Sequence, residues 1–178
     1  MLSLLFAISQ PTLAENSFYE IQYMIIDSSF GAVKYEPNAL LYKHVIPYND
    51  LINLEGIVAL GISEDSEDLK TGFAGPYTQK LKLSNMLGVM ASIWGEMEPS
   101  VHAFVHVGLV RVDFDMSTSV GGPDGSQNHT GLGYGIGMSF HLLKKGAFVL
   151  EYNDLPDVDT SSSKLKNTAV SIGYQLPF

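Results

Sequence analysis

Cysteine is absent from the 178 residues, which rules out disulfides and thiolate metal sites and leaves the compartment to be inferred from other signals. Basic residues are scarce. Ten Lys and Arg stand against nineteen Asp and Glu, for a formal net charge of −9 and a pI near 4.8. No nucleic-acid partner is expected on that ground, because phosphate backbones are bound through clustered Lys and Arg. Nor does any segment approach the roughly 20 consecutive apolar residues of a membrane-spanning helix. Yet the mean hydropathy of +0.12 is high for a chain without one, so the apolar surface must be distributed in alternation with polar positions.

That alternation is clearest at the carboxyl terminus. Val170, Ile172, Tyr174, Leu176 and Phe178 fall on one face of a strand, and Ser171, Gly173 and Gln175 on the other. No later segment is expected to cover the apolar stripe. The pattern predicts a strand that closes a barrel with lipid outside and a polar interior. Pro177 cannot donate to a ladder, which places it at the rim.

Period-2 segments bounded by turn residues predict about eight strands, each long enough to cross a membrane when tilted. They lie at Phe18 to Ile26, Ala39 to Tyr48, Asn53 to Ile62, Gln79 to Trp94, Val101 to Val112, Thr130 to Leu142, Ala147 to Asn153 and Asn167 to Phe178. In the sixth, glycines 131, 133, 135 and 137 line one face with Ser139 and His141, which suits a narrow lumen or strong curvature. Long polar connections (27 to 38, 63 to 78, 113 to 129, 154 to 166) alternate with short ones. An outer-membrane barrel has this asymmetry, with short periplasmic turns and long outer loops. Tyr19, Tyr48, Phe140, Tyr174 and Phe178 are expected at the periplasmic interface, Tyr134 and Tyr152 at the outer one. Trp94 has inward parity and is expected to plug the base. The segment Leu40 to Pro47 and the neighbourhood of Asn85 do not alternate cleanly, so bulges could shift their parity.

Residues 1–14 have the character of a secretory signal: an apolar core from Leu2 to Ile8, with Thr12 and Ala14 suited to the positions before a cut. No Lys or Arg precedes that core, and a buried N-terminal helix is the alternative. The barrel domain is then residues 15–178.

The segments GLGYGIGMSFHL, GAFVLEYN and AVSIGYQLPF carry a resemblance to the small eight-stranded outer-membrane β-barrels of the OmpA-like, OmpX/Ail-like and opacity-protein group. Ser171, Gly173, Leu176 and Phe178 resemble the C-terminal assembly signal of such barrels. The resemblance implies an all-β fold, a closed antiparallel up-and-down transmembrane barrel, in the outer membrane of a Gram-negative bacterium. It also implies contact with outer-membrane lipid and lipopolysaccharide, and with the barrel-assembly machinery during biogenesis. Members serve as adhesins, serum-resistance factors or envelope scaffolds, so the family speaks to location more than to activity.

On this register Glu20, Glu55, Lys80, Lys82, Arg111 and Glu151 point inward, where opposite charges would meet and fill an eight-stranded lumen. His102, His106 and His141 share that interior, with His102 and His141 near the periplasmic end on neighbouring strands. A polar network is expected of them; a metal site or a histidine-based hydrolase is the sharper reading. The run Ser63 to Asp68, with Asp113, Asp115, Asp124, Asp154, Asp157 and Asp159, predicts acidic outer loops, solvated or able to take a divalent cation. The segment Ser119 to Ser126 is expected to be exposed and, with its neighbours, to meet any external protein or host-surface partner. Asn128-His129-Thr130 is expected to be a turn. The function expected is non-enzymatic, structural or adhesin-like, with no cofactor. Rival readings are a lipid A deacylase-like enzyme, a narrow porin-like channel and a soluble lipocalin-like barrel.

Overall fold

Alternating residues over most of the chain form strands, and the strands form one ring. The computed structural model describes residues 17–49, 51–71, 75–119, 125–143, 146–159 and 164–177. Ten strands run in chain order: β1 (Phe18–Phe30), β2 (Val33–Tyr35), β3 (Asn38–Pro47), β4 (Ile52–Gly61), β5 (Glu64–Thr71), β6 (Gly75–Glu98), β7 (Val101–Thr118), β8 (Gly125–Leu143), β9 (Gly146–Asp159) and β10 (Lys164–Pro177). Eight are staves, in the antiparallel order β1-β3-β4-β6-β7-β8-β9-β10, and the ring closes where β10 pairs β1 from Phe18↔Pro177 to Phe30↔Leu165. The remaining two are additions at one end, β2 folding back on β1 and β5 on β6. Pro177 sits at the rim. Residues 1–16, with the expected signal, lie outside the described residues, as do Asp124 and Phe178.

The outward face marks where the membrane is. Ile21, Tyr23 and Ile25 on β1, Leu87, Val89 and Ile93 on β6, Val105, Val107 and Leu109 on β7, Leu132, Tyr134 and Ile136 on β8 and Leu150 and Tyr152 on β9 are all exposed. Toward the end opposite the termini this belt gives way to Asp27, Lys82, Arg111, Thr130 and Asp154 in the same outward columns. A transmembrane strand needs about 9–11 residues, and β6 with 24, β8 with 19 and β7 with 18 continue well past the belt. No described helix is long and apolar enough to cross a membrane.

The connections expected to be long polar loops are therefore largely strand, because their inward positions are apolar. Leu81, Leu83, Phe114, Val158, Leu165 and Tyr35 are buried between the projecting strands, continuous with Met24, Ile26, Leu41, Met86 and Val112 below. The acidic run belongs to β5. Glu64 pairs Lys80 at 2.5 Å, the Asp65 carboxylate accepts the Glu36 amide at 2.7 Å, and Asp68 accepts the Thr78 hydroxyl at 2.7 Å. Asn128-His129-Thr130, expected as a turn, lies within β8. Burial, then the nearby Glu67 carboxylate, pushes the Tyr35 hydroxyl up to about 12.

Candidate functional site

The interior has three storeys, each set by which residue types alternate inward at that height. At the short-turn end is an aromatic base. Trp94 stacks on Phe104 with ring centroids 4.3 Å apart, and Phe18 meets Trp94 edge-on at 5.6 Å. At the other end is the apolar core described above. The interior is thus not uniformly polar, as the alternation had suggested; the polar side chains form one middle layer.

That layer is organised around Lys43. Its Nζ lies 2.6 Å from Glu151, 3.4 Å from Glu55 and 3.8 Å from Glu20, with all four side chains buried. The register builds this directly: Glu20 is opposite Lys43 on the neighbouring stave, and Glu55 is displaced from it by one inward position on the next. The Gln22 amide donates to Glu20 at 2.6 Å and to Glu151 at 3.3 Å, and Ser171 donates to the Gln22 carbonyl oxygen.

His106 completes the layer. Its Nδ1 is 3.2 Å from Glu55, and its Nε2 is 2.7 Å from the Asn153 carbonyl oxygen, whose own amide donates to Glu151 at 2.8 Å. Both ring nitrogens face oxygen acceptors. Buried charges are tolerated only when paired and hydrogen-bonded in this way. The cavity beside Lys43, lined by Leu41, Met86, Met90, Glu151 and Asn153 among others, measures about 10 Å³.

The glycine column of β8 is what lets these groups meet. In one row His106, Gly135 and Asn153 stand on three successive staves, so the missing side chain at Gly135 lets His106 and Asn153 bond directly across it. One step toward the base, the Phe104 ring lies over Gly137; an added Cβ there would come within 2.8 Å of the ring's Cε1 and Cε2. One step outward, a Cβ on Gly133 would meet Val110 at 2.9 Å.

Of the sequence-predicted interior residues, Glu20, Glu55, His106 and Glu151 come together in the knot. His102 and His141 face inward near the base and meet each other, Nδ1 to Nδ1 at 3.3 Å. Lys82 and Arg111 do not reach the interior. In β6 a bulge between Leu83 and Asn85 reverses the parity, so inward positions change from Met86 to Leu83 and Leu81, and Lys80 and Lys82 turn outward. Arg111 is five residues from His106 and could share its face only across a bulge in β7. The strand alternates without one, and Arg111 instead pairs Asp113 at 3.3 Å, half-exposed. Lys43 was missed. Its segment has large apolar residues on both faces, with Leu40, Tyr42 and Ile46 outside and Leu41 and Val45 inside, so hydrophobicity alone does not reveal the parity. Of the terminal motif, Ser171 is buried and Gly173 faces Gln22, whose Cγ would lie 2.6 Å from an added Cβ; Leu176 points outward.

Comparison with solved structures finds this architecture in small barrels of low sequence identity. Neisserial surface protein A matches with a TM-score of 0.61 at 14% identity, covering 91% of this chain and 97% of that one. OprG from Pseudomonas aeruginosa gives 0.61 at 12%, covering 93% and 97%. Ail of Yersinia pestis gives 0.56 at 15%, covering 90% and 98%. These likenesses are of fold. No curated protein sequence matches the chain. The family described as "Outer membrane protein beta-barrel domain" matches residues 2–178. With a closed antiparallel ring, a lipid-facing apolar belt and that match over almost its whole length, the chain belongs to the outer-membrane β-barrel family and resides in the bacterial outer membrane.

Proposed function

We propose that the protein is a non-enzymatic, non-conducting barrel whose role is played by its strand-built outer extension, in contact with an external partner. The observation that carries this reading is the filling of the described interior by side chains. Base, knot and outer core follow one another along the axis, and the cavity at the knot, about 10 Å³, has room for about one water molecule. An eight-stave barrel is just wide enough for its side chains to fill. On this reading the surface left to act is the extension made by β2, β5 and the projecting halves of β6 to β10.

Its chemistry suggests the partner. Carboxylates outnumber basic groups there: Asp27, Glu36, Glu64, Asp65, Glu67, Asp68, Asp113, Asp115, Asp154, Asp157 and Asp159 against Lys34, Lys70, Lys80, Lys82, Arg111, Lys164 and Lys166. Ail, similar in fold, is named an attachment invasion locus protein and has been solved with the heparin analogue sucrose octasulfate. The acidic balance here favours a cationic protein surface over a sulfated polyanion, since like charge opposes close approach. Lipopolysaccharide and the assembly machinery remain the expected partners within the envelope.

Planar-bilayer recording of the purified barrel tests the closed interior. No stable conductance steps are expected, and reproducible ohmic steps would overturn it. For the surface role, barrel-bearing cells should bind an immobilised polycation more than immobilised heparin. The preference should weaken in the Glu64→Lys/Glu67→Lys/Asp68→Lys variant; an unchanged or reversed preference would refute the charge argument.

A further inference from the structure

At the short-turn end, far from the outer extension, two histidines from adjacent staves stand together. His102 is the second residue of β7, and Ser139 of β8 is its register partner. His141 follows two residues later, beside the β6–β7 turn, where its amide donates to the Ser100 carbonyl at 2.7 Å. Both imidazoles face inward and are half-buried. Their Nδ1 atoms are 3.3 Å apart, their ring centroids 4.8 Å apart and their planes inclined by 72°. The two rings share a hydrogen bond, with donor and acceptor set by their tautomers.

That spacing has a chemical meaning. Two imidazole nitrogens on one tetrahedral ion, each at about 2.0–2.1 Å, are about 3.3–3.4 Å from one another. We propose that His102 and His141 form a two-nitrogen site for a divalent transition-metal ion at the periplasmic mouth of the barrel, with water in the remaining positions. A second observation points the same way. The Ser139 hydroxyl, fully buried and without a hydrogen-bond partner among the described residues, lies on the same face, opposite His102 and two residues from His141. It is placed to serve as the outer-shell group that orients a ligating imidazole or a metal-bound water. Imidazole selects zinc, copper or nickel, whereas calcium and magnesium require oxygen cages. Among the described residues no group of three or more His, Cys, Asp or Glu is arranged to hold a metal. The ion therefore keeps exchangeable solvent ligands while bridging β7 to β8.

The test uses the purified, folded barrel in detergent, without a histidine tag. Calorimetric titration with Zn²⁺ should show one site per barrel, weakened at least tenfold by His102→Gln or His141→Gln and unchanged by His129→Gln. Cu²⁺ added to the unmodified protein should give an electron spin resonance spectrum with coupling to two nitrogens, reduced to one in either variant. Retained heat-dependent gel mobility identifies the folded variants. Absence of saturable Zn²⁺ binding, or binding indifferent to both substitutions, would overturn the proposal. If neither variant folds, the Cu²⁺ spectrum of the unmodified barrel decides, and a spectrum without two-nitrogen coupling refutes the site. A conducting barrel would leave this result untouched, so the two readings fail separately.

Discussion

Lys43 is held by three carboxylates in a layer that excludes bulk water, so its charge cannot be removed cheaply. Lys43→Met leaves Glu20, Glu55 and Glu151 facing one another without the ammonium group between them. Breaking a buried pair from one side costs about 3–5 kcal/mol. The variant should lose that much stability in a urea titration of the refolded barrel, whereas Lys43→Met combined with Glu20→Gln and Glu151→Gln should recover part of it. Gly137→Ala is a second sharp test. Its methyl group meets the Phe104 ring, and forcing that ring off its stack with Trp94 should cost about 1–3 kcal/mol, read in the same titration. Single residues were unevenly legible beforehand. Ile21, Tyr23 and Ile25 on β1, Leu54, Val58 and Leu60 on β4 and Leu150 and Tyr152 on β9 set the outward face, so parity alone assigns Glu20, Glu55 and Glu151 inward. Lys43 lies between apolar residues on both faces, and only the register with Glu20 reveals it.

At the scale of strands, the apolar belt is the property on which membrane insertion depends. Val105, on the outward face of β7, is flanked by Ile93 on β6 and Ile136 on β8. Val105→Arg should destabilise the barrel by about 2–4 kcal/mol, the cost of a cation near mid-bilayer, and Leu109→Arg, close to Arg111 and the outer edge, by about 0–1 kcal/mol. Equal losses would mean that the belt is misplaced along the staves. The eight staves could be read from alternation and turn residues, yet their outer halves could not. Asp113, Asp115, Asp154, Asp157 and the run Glu64 to Asp68 gave those segments the polarity of loops. What makes them strands is an inward column of Leu81, Leu83, Phe114 and Val158, each one residue in two, which local polarity obscures. The bulge at Leu83/Asn85 adds a second obstacle, since a single extra residue turns every side chain beyond it to the other face.

For the molecule as a whole, sidedness is the property to measure, and the lack of native cysteine makes the measurement free of background. A cysteine at Glu67 should react with a membrane-impermeant maleimide on intact cells. One at Asn49, in the short β3–β4 turn, should react only after the outer membrane is breached. The reverse labelling would invert the topology and place the acidic hairpin in the periplasm.

The knot also has a consequence for how the ring is completed. Its cation comes from the second stave and its shortest partner, Glu151, from the seventh, 108 residues later. Until the last staves arrive and the seam between first and last is sealed, that lysine has Glu20 and Glu55 beside it but lacks its nearest partner. A half-built cylinder would leave Glu151, on the seventh stave, without the ammonium group that it meets in the finished ring. Sealing the seam is therefore the event that brings the buried charges of early and late staves into one cluster.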